Sequence, residues 1–390
     1  MEKYAKIHLR KQKGGVFVVR TDDRQSLPDG SYILMTLVTA YLLFFTAVTN
    51  EITAFVALAL VIAFSAVLLR SRLLALVVGV PAALSFLSSA SFIPVASIAS
   101  VIFIIGMGSV ALLHVNKLLV GICFAAAFGL SLLFTESILA SSTMLLFLLC
   151  AVLLAIALSK GMRRTSAVCL VTGALLVGYV TIFAIAFYRL AGAFSREALS
   201  SLISQIYTLL LDAFKESASL LDPEFRVLMT EEVFNAAFDA ILCSLPAGVI
   251  ITVSVLAFLS HLLSFVLCTE SGYMERIPEG SRPFVLSPVT AILYVAAFLL
   301  TLIAPYVGDG AGILLLTAQN LTLILMPALL LVGALGIYGF LAQNKGCLNI
   351  WVLLGIVLLI VYTRGILLYP ISFVGVYLTF RVNRRPPYRK

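Results

Sequence analysis

The chain has 390 residues, 62% of them hydrophobic and 11% charged, with a mean hydropathy of +1.13 and a formal net charge of +8. Soluble globular chains run at about 45–50% apolar and about 25% charged, so a soluble enzyme, a disordered protein and a fibrous one are all excluded. The apolar residues fall in blocks long enough to cross a hydrocarbon layer, which takes about 20 residues at about 1.5 Å of rise each. The chain therefore reads as an all-α, polytopic helical membrane protein.

Residues 1–30 form a polar arm carrying Lys3, Lys6, Arg10, Lys11, Lys13, Arg20 and Arg24. This arm is too long and too charged for a cleaved signal peptide, and it is expected to stay in the cytoplasm. Apolar blocks follow at 31–49, 52–69, 73–90, 93–113, 118–135, 142–159 and 165–188, a bundle of seven spans over 31–188. All are continuously apolar, without the alternation of an outer-membrane barrel.

Segment 189–239 is polar, with Arg189, Arg196, Lys215 and Arg226 among eight acidic residues. Leu202, Ile206, Leu209, Leu210 and Phe214 recur at helical spacing, and so do Phe225, Leu228, Met229, Val233 and Ala236/Ala237 beyond the break at Asp222–Pro223. The pair reads as extracytoplasmic amphipathic helices that lie on the outer surface or cap the bundle. A second bundle of four to five spans occupies 240–380, with blocks at 240–268, 287–307, 312–342 and 348–380, before a basic tail at 381–390.

Block 348–380 can be read in two ways. A single span over 348–369 would put Arg381, Arg384, Arg385, Arg389 and Lys390 outside, against the preference of Lys and Arg for the cytoplasmic side. A hairpin turning near Arg364–Pro370 returns the tail inside, and it is the favoured reading. It gives about twelve transmembrane helices, eleven on the other reading, with both termini cytoplasmic. The inner turns then hold Arg70 and Arg72, Lys117, then Lys160, Arg163 and Arg164, whereas the outer turns of the first half hold no basic residue. The positive charge is thus a topology signal rather than a nucleic-acid footprint, although basic arms beside a membrane attract anionic lipid at about 1 kcal/mol per residue. The natural location is the plasma membrane, crossed several times.

No catalytic signature is present: GxxxxGK[ST], HExxH and GxSxG are all missing. Cys123, Cys150, Cys169, Cys243, Cys268 and Cys347 are scattered singly, with no histidine at metal-ligand spacing. Neither a cofactor nor a metal is expected, and an enzymatic role is disfavoured. Polar groups inside a bilayer are expensive and become functional candidates by default. Four qualify as substrate-binding candidates: Asn320, Gln319, His261 and Arg364. Adjacent amides point to different faces of a helix, so only one of Gln319 and Asn320 can serve a given cavity. Asn320 is the first choice for a cavity contact, with helix-to-helix glue an even alternative; for His261, an interhelical hydrogen bond is the commoner role.

The carboxy-terminal half carries Gln319-Asn320-Leu321, then Gly336-Ile337-Tyr338-Gly339-Phe340, and closes on Gly375-Val376-Tyr377-Leu378-Thr379-Phe380-Arg381. This run resembles the YybS-like family of predicted bacterial membrane proteins of unknown function. The resemblance implies a helical bundle distantly related to the substrate-binding subunits of energy-coupling-factor transporters. Separately from that fold expectation, a cavity between bundles 31–188 and 240–380, contacted by Asn320, Gln319, His261 and Arg364, gives the expectation of a transporter- or permease-like protein for a small or amphiphilic solute, with partner subunits providing energy. A non-transporting scaffold or regulator is the alternative, and an enzyme acting on lipid-linked substrates the second alternative.

Overall fold

The computed structural model describes residues 93–114, 117–135, 138–219, 230–270, 286–307, 312–345 and 367–384. The 1–30 arm, the first three expected spans, Arg364 and the end of the basic tail lie outside these residues.

Among the described residues nine α-helices follow in order, α1 (Ile93–His114), α2 (Lys117–Thr135), α3 (Ile138–Ser159), α4 (Arg164–Ala191), α5 (Arg196–Ser219), α6 (Glu231–Glu270), α7 (Pro288–Ile303), α8 (Gly312–Lys345) and α9 (Leu368–Arg384), and no strand occurs. A 3₁₀ turn, Ala304–Tyr306, extends α7. Five of these helices are long and apolar enough to cross a membrane, within Ser141–Ser159, Arg164–Ala191, Glu231–Cys268, Pro288–Tyr306 and Gly312–Ile337. Their outward faces are apolar too. On α4, which has no charge between Arg164 and Arg189, Val177, Val180 and Phe183 are exposed, a surface that requires lipid or protein against it.

Local chemistry explains where the helices stop. After α3, Gly161 takes φ 61° while its N–H bonds the Leu158 carbonyl and the Met162 N–H bonds that of Ala157. This is a Schellman closure, which favours glycine at the left-handed position. Gly192 at φ 72° ends α4 through one bond to the Tyr188 carbonyl. Ser195 caps α5 by accepting from the Ala198 N–H at 3.0 Å, and Ser287 caps α7 with Pro288 in its first turn.

Two cores result. The larger is built from α1–α4 and the C-terminal part of α6, around Phe103, Ile104, Ile105, Phe124, Phe147 and Leu263. Helix α1 is buried without interruption over Ala99–Ala111, and more than half of the α3 span is buried, against about a fifth of each of the other four candidate spans, so α1 and α3 are its central helices. The smaller core joins α7, α8 and α9 through Ala291, Tyr294, Met326, Leu329 and Val376. Helix α6 belongs to the first core and packs on α8 of the second.

Helix α6 has 40 residues and, at about 1.5 Å each, is about twice as long as the hydrocarbon core is thick. It crosses residue 240 without a break, so the stretch holding Val233, Ala236 and Ala237 and the span after it are one element rather than two. The first turns of α6 pair with α5 through Tyr207, Phe214, Phe234 and Phe238, with ring centroids 5.1–6.1 Å apart. The face of α5 turned to this pair carries Ile203, Tyr207, Leu211, Phe214 and Ala218, whereas Ile206, Leu209 and Leu210 of the expected stripe are exposed.

Helices α8 and α9 run parallel. Gly333 and Gly375 meet at the crossing, and Gly336 meets Leu378 one turn further along both helices. Helix α9 is antiparallel to α7, with Phe373 against Tyr294, Tyr369 against Phe298, and Asn383 donating to the Leu286 carbonyl at 3.0 Å. Lys345 and Arg384 therefore end at the same end of this bundle.

Candidate functional site

Pro246 sits inside α6. It has no N–H to donate, and its ring crowds the preceding turn. The side chain of Asn320 enters from α8 at this turn: its Oδ1 accepts from the Ala247 N–H at 3.1 Å, and its Nδ2 donates to the Cys243 carbonyl at 2.8 Å. The same Nδ2 also donates to the Leu316 carbonyl of its own helix at 2.9 Å. Asn320 thus spends its amide on backbone groups of α6 and of its own helix. Gln319 is exposed on another face of α8, as the angle between adjacent residues requires.

His261 lies 14 residues beyond Ala247 on α6, about 20 Å along the axis, so it does not share a site with Asn320. It is 1% exposed, its Nδ1 has no hydrogen-bond partner, and its ring stacks on Phe265 with centroids 6.3 Å apart. A second partner of Phe265 is Arg164, the first residue of α4, whose guanidinium carbon sits 4.3 Å from the ring centroid. Arg164 Nε is buried and also lacks a partner.

The neighbouring face of α6 is a serine seam against α1. Ser109 Oγ donates to the Gly106 carbonyl at 2.7 Å and lies 2.8 Å from Ser264 Oγ, while Ser264 Oγ is 2.8 Å from the Ser260 carbonyl. Ser260 Oγ is buried and unpartnered. None of the serines nor Arg164 stands out in sequence as a binding candidate. The available signal is Ser260 and Ser264 four residues apart around His261, which places two hydroxyls on one face beside an ionisable ring.

Gly333 and Gly336 of α8 lie at a helix contact, whereas Gly129 of α2 has open space beside it. Gly106, Gly108 and Gly178 make the close approaches of the first bundle, to Leu263, to Ala151 and Phe124, and to Leu146.

A chain whose described residues include no strand and form five helices long and apolar enough to cross a bilayer is a multi-pass integral membrane protein. Its sequence matches the family of predicted membrane proteins DUF2232 over residues 80–377, and the chain belongs to that family. The match agrees with the YybS-like resemblance and extends it toward the amino terminus, beyond the carboxy-terminal half that carries the quoted motifs. No curated protein and no solved structure matches the chain.

Proposed function

We propose that the protein is a permease-like membrane component that passes a small or amphiphilic solute between its two bundles. The observation that supports this reading is the junction of α6 and α8. Each of these helices has a proline in its interior, Pro246 and Pro327, and a single amide from α8 completes the α6 backbone at the first of them. Interior prolines are points at which helices bend, and transporters bind solute at the interface of their bundles. The lack of carboxylates within the spans favours a solute that is not exchanged for protons or sodium. On this reading α5 and the first turns of α6 lie at the outer membrane surface, with the exposed stripe Ile206, Leu209 and Leu210 on the lipid. Partner subunits would supply the energy, and the shared end of Lys345 and Arg384 supports a cytoplasmic tail.

Cys243 offers a native reporter, being exposed in the turn that Asn320 bridges. A full-length variant keeping Cys243 as its sole cysteine would be placed in proteoliposomes. Labelling with a membrane-impermeant maleimide is expected from both faces, with Asn320→Leu shifting the balance between them. Uptake of at least one component of a metabolite extract, read by mass spectrometry against empty vesicles, is the functional arm. Labelling from one face only, together with no uptake, would reject transport and leave the scaffold reading.

A further inference from the structure

The groups around Phe265 carry an inference that does not depend on transport. Two nitrogens with no partner, His261 Nδ1 and Arg164 Nε, are buried beside one aromatic ring that both side chains contact. Among the described residues no acidic side chain forms an ion pair with Arg164. Buried polar groups in native proteins are satisfied in more than about 90% of cases, and each exception asks for a ligand or a water. A third donor set lies at the same place. Helix α4 starts at Arg164 with no side chain capping its N-terminus, because Arg163 at the cap position makes no such bond. A 28-residue helix presents free N–H groups and a partial positive charge at that end. A guanidinium, an uncapped helix start and a buried imidazole together offer hydrogen-bond donors and positive charge.

We infer that the start of α4 and the facing turns of α6 form an anion niche for a phosphate group, with Arg164, His261 and the first N–H groups of α4 as its donors. Phosphate suits the set because its several oxygens accept from a planar fork, a ring N–H and backbone amides at once. His261 takes the tautomer that puts a proton on Nδ1, and Phe265 holds the guanidinium plane in place. The position, at the end of a span and beside Lys160 and Arg163, is where a lipid head group would sit, while a soluble phosphate could enter from the same side. Glu270, at the far end of α6, is the acidic residue closest in sequence to His261 on that helix, nine positions away.

The test uses the full chain purified in detergent. Native mass spectrometry would follow titration with phosphatidylglycerol, with phosphatidylcholine and with inorganic phosphate, for the parent, Arg164→Gln, His261→Leu and the control Lys160→Gln. The parent is expected to keep one phosphatidylglycerol, with about tenfold weaker retention in Arg164→Gln and His261→Leu, in line with the loss of one hydrogen bond to a charged group. Lys160→Gln, the same charge change on an exposed neighbour, should leave retention within about twofold of the parent, as expected of a screened surface charge. If inorganic phosphate, and not lipid, shows this pattern, the niche stands and its ligand is soluble. Equal weakening by Lys160→Gln would reduce the effect to surface charge and overturn the niche. Absence of selective binding in the parent would overturn it too. Should Arg164→Gln fail to fold, Arg164→Lys, which keeps the charge but loses the fork, must fall between parent and His261→Leu. None of these failures would touch the permease reading, whose tests concern Cys243 and uptake.

Discussion

Asn320 closes the stretch of backbone that Pro246 opens. Its amide lies between the Cys243 carbonyl and the Ala247 N–H, the pair that an undisturbed helix would join directly. The two helices are therefore coupled by one side chain that accepts and donates at the same turn.

Asn320→Ala should lower the thermal stability of the purified protein. Buried groups left unsatisfied cost about 1–3 kcal/mol in soluble proteins, and interhelical bonds in membranes average about 0.6 kcal/mol. Asn320→Asp, which can accept but not donate when ionised, should also destabilise. Pro246→Ala restores an N–H to α6, so the cost of Asn320→Ala should shrink in that background. Thermal unfolding of the four-member cycle measures the coupling; strictly additive effects would dissociate Asn320 from the proline.

The α8–α9 crossing makes a sharper steric prediction. A Cβ on Gly375 would strike the Leu329 carbonyl, and one on Gly333 the Ile371 carbonyl. Backbone cannot rotate away as a side chain can. Gly375→Ala and Gly333→Ala are expected to cost about 1–3 kcal/mol or more. Gly129→Ala meets nothing within 4 Å and should be neutral or stabilising by about 0.5–1 kcal/mol, the helical preference for Ala over Gly. Melting temperatures of the three variants in one detergent would check the contrast, and equal losses would refute it.

The spans were legible because hydrophobic blocks and helix punctuation coincide: blocks 93–113, 118–135 and 165–188 differ from α1, α2 and α4 by only a few residues at each end. What the sequence concealed is which face of each helix meets which neighbour. In a membrane both the core face and the lipid face are apolar, so the 3.6-residue stripe that marks a buried side in water loses its meaning. That is why Gly129 and Gly333 look alike in sequence yet differ in space. The same ambiguity rotated the expected stripe on α5, where Leu202, Ile206 and Leu209 compete with Ile203, Tyr207 and Leu211. The run at Val233 read as a separate amphipathic helix because polarity changes near residue 240, but a change of polarity along α6 marks where it leaves the apolar layer, not where it ends. Asn320 was visible as polar in an apolar block; its partner was not, because Pro246 announces a missing N–H without saying which side chain will complete the turn.

The pairing of α5 with the start of α6 rests on rings more than on charge. Tyr207 OH donates to Asn235 Oδ1 at 2.7 Å, and its ring packs edge-on to Phe238 at 5.2 Å. Lys215 and Glu231 approach to 3.6 Å but are both more than half exposed, and such pairs contribute about 0–1 kcal/mol. Phe238→Ala, at a side chain 8% exposed, should therefore release α5 to limited proteolysis. Tyr207→Phe should cost about 0.5–1.5 kcal/mol, and Lys215→Ala should leave the cleavage rate near that of the parent. A faster digest in Lys215→Ala than in Phe238→Ala would reverse this ordering and make the ion pair the main tie.

The serine seam predicts a small and strictly local effect. Two hydroxyl protons, from Ser109 and Ser264, are distributed over the Gly106 and Ser260 carbonyls and the facing hydroxyl oxygen, and the direct Ser109–Ser264 contact of 2.8 Å joins α1 to α6. Each serine can turn its proton to its own helix when its partner is removed, Ser109 to Gly106 and Ser264 to Ser260. Ser109→Ala and Ser264→Ala should thus each cost about 0.6 kcal/mol, near the average for interhelical bonds in membranes, and the double variant should cost less than their sum. Gly106→Ala acts at the same contact by volume, since its Cβ would lie 2.7 Å from Leu263 Cδ2, the end of a side chain that can shift. Its cost should exceed that of either serine variant while remaining below that of Gly375→Ala, where backbone is struck. Unfolding measurements on the five variants would test this order. A Ser264→Ala cost above that of Gly106→Ala would mean that hydrogen bonding, rather than close packing, holds α1 on α6.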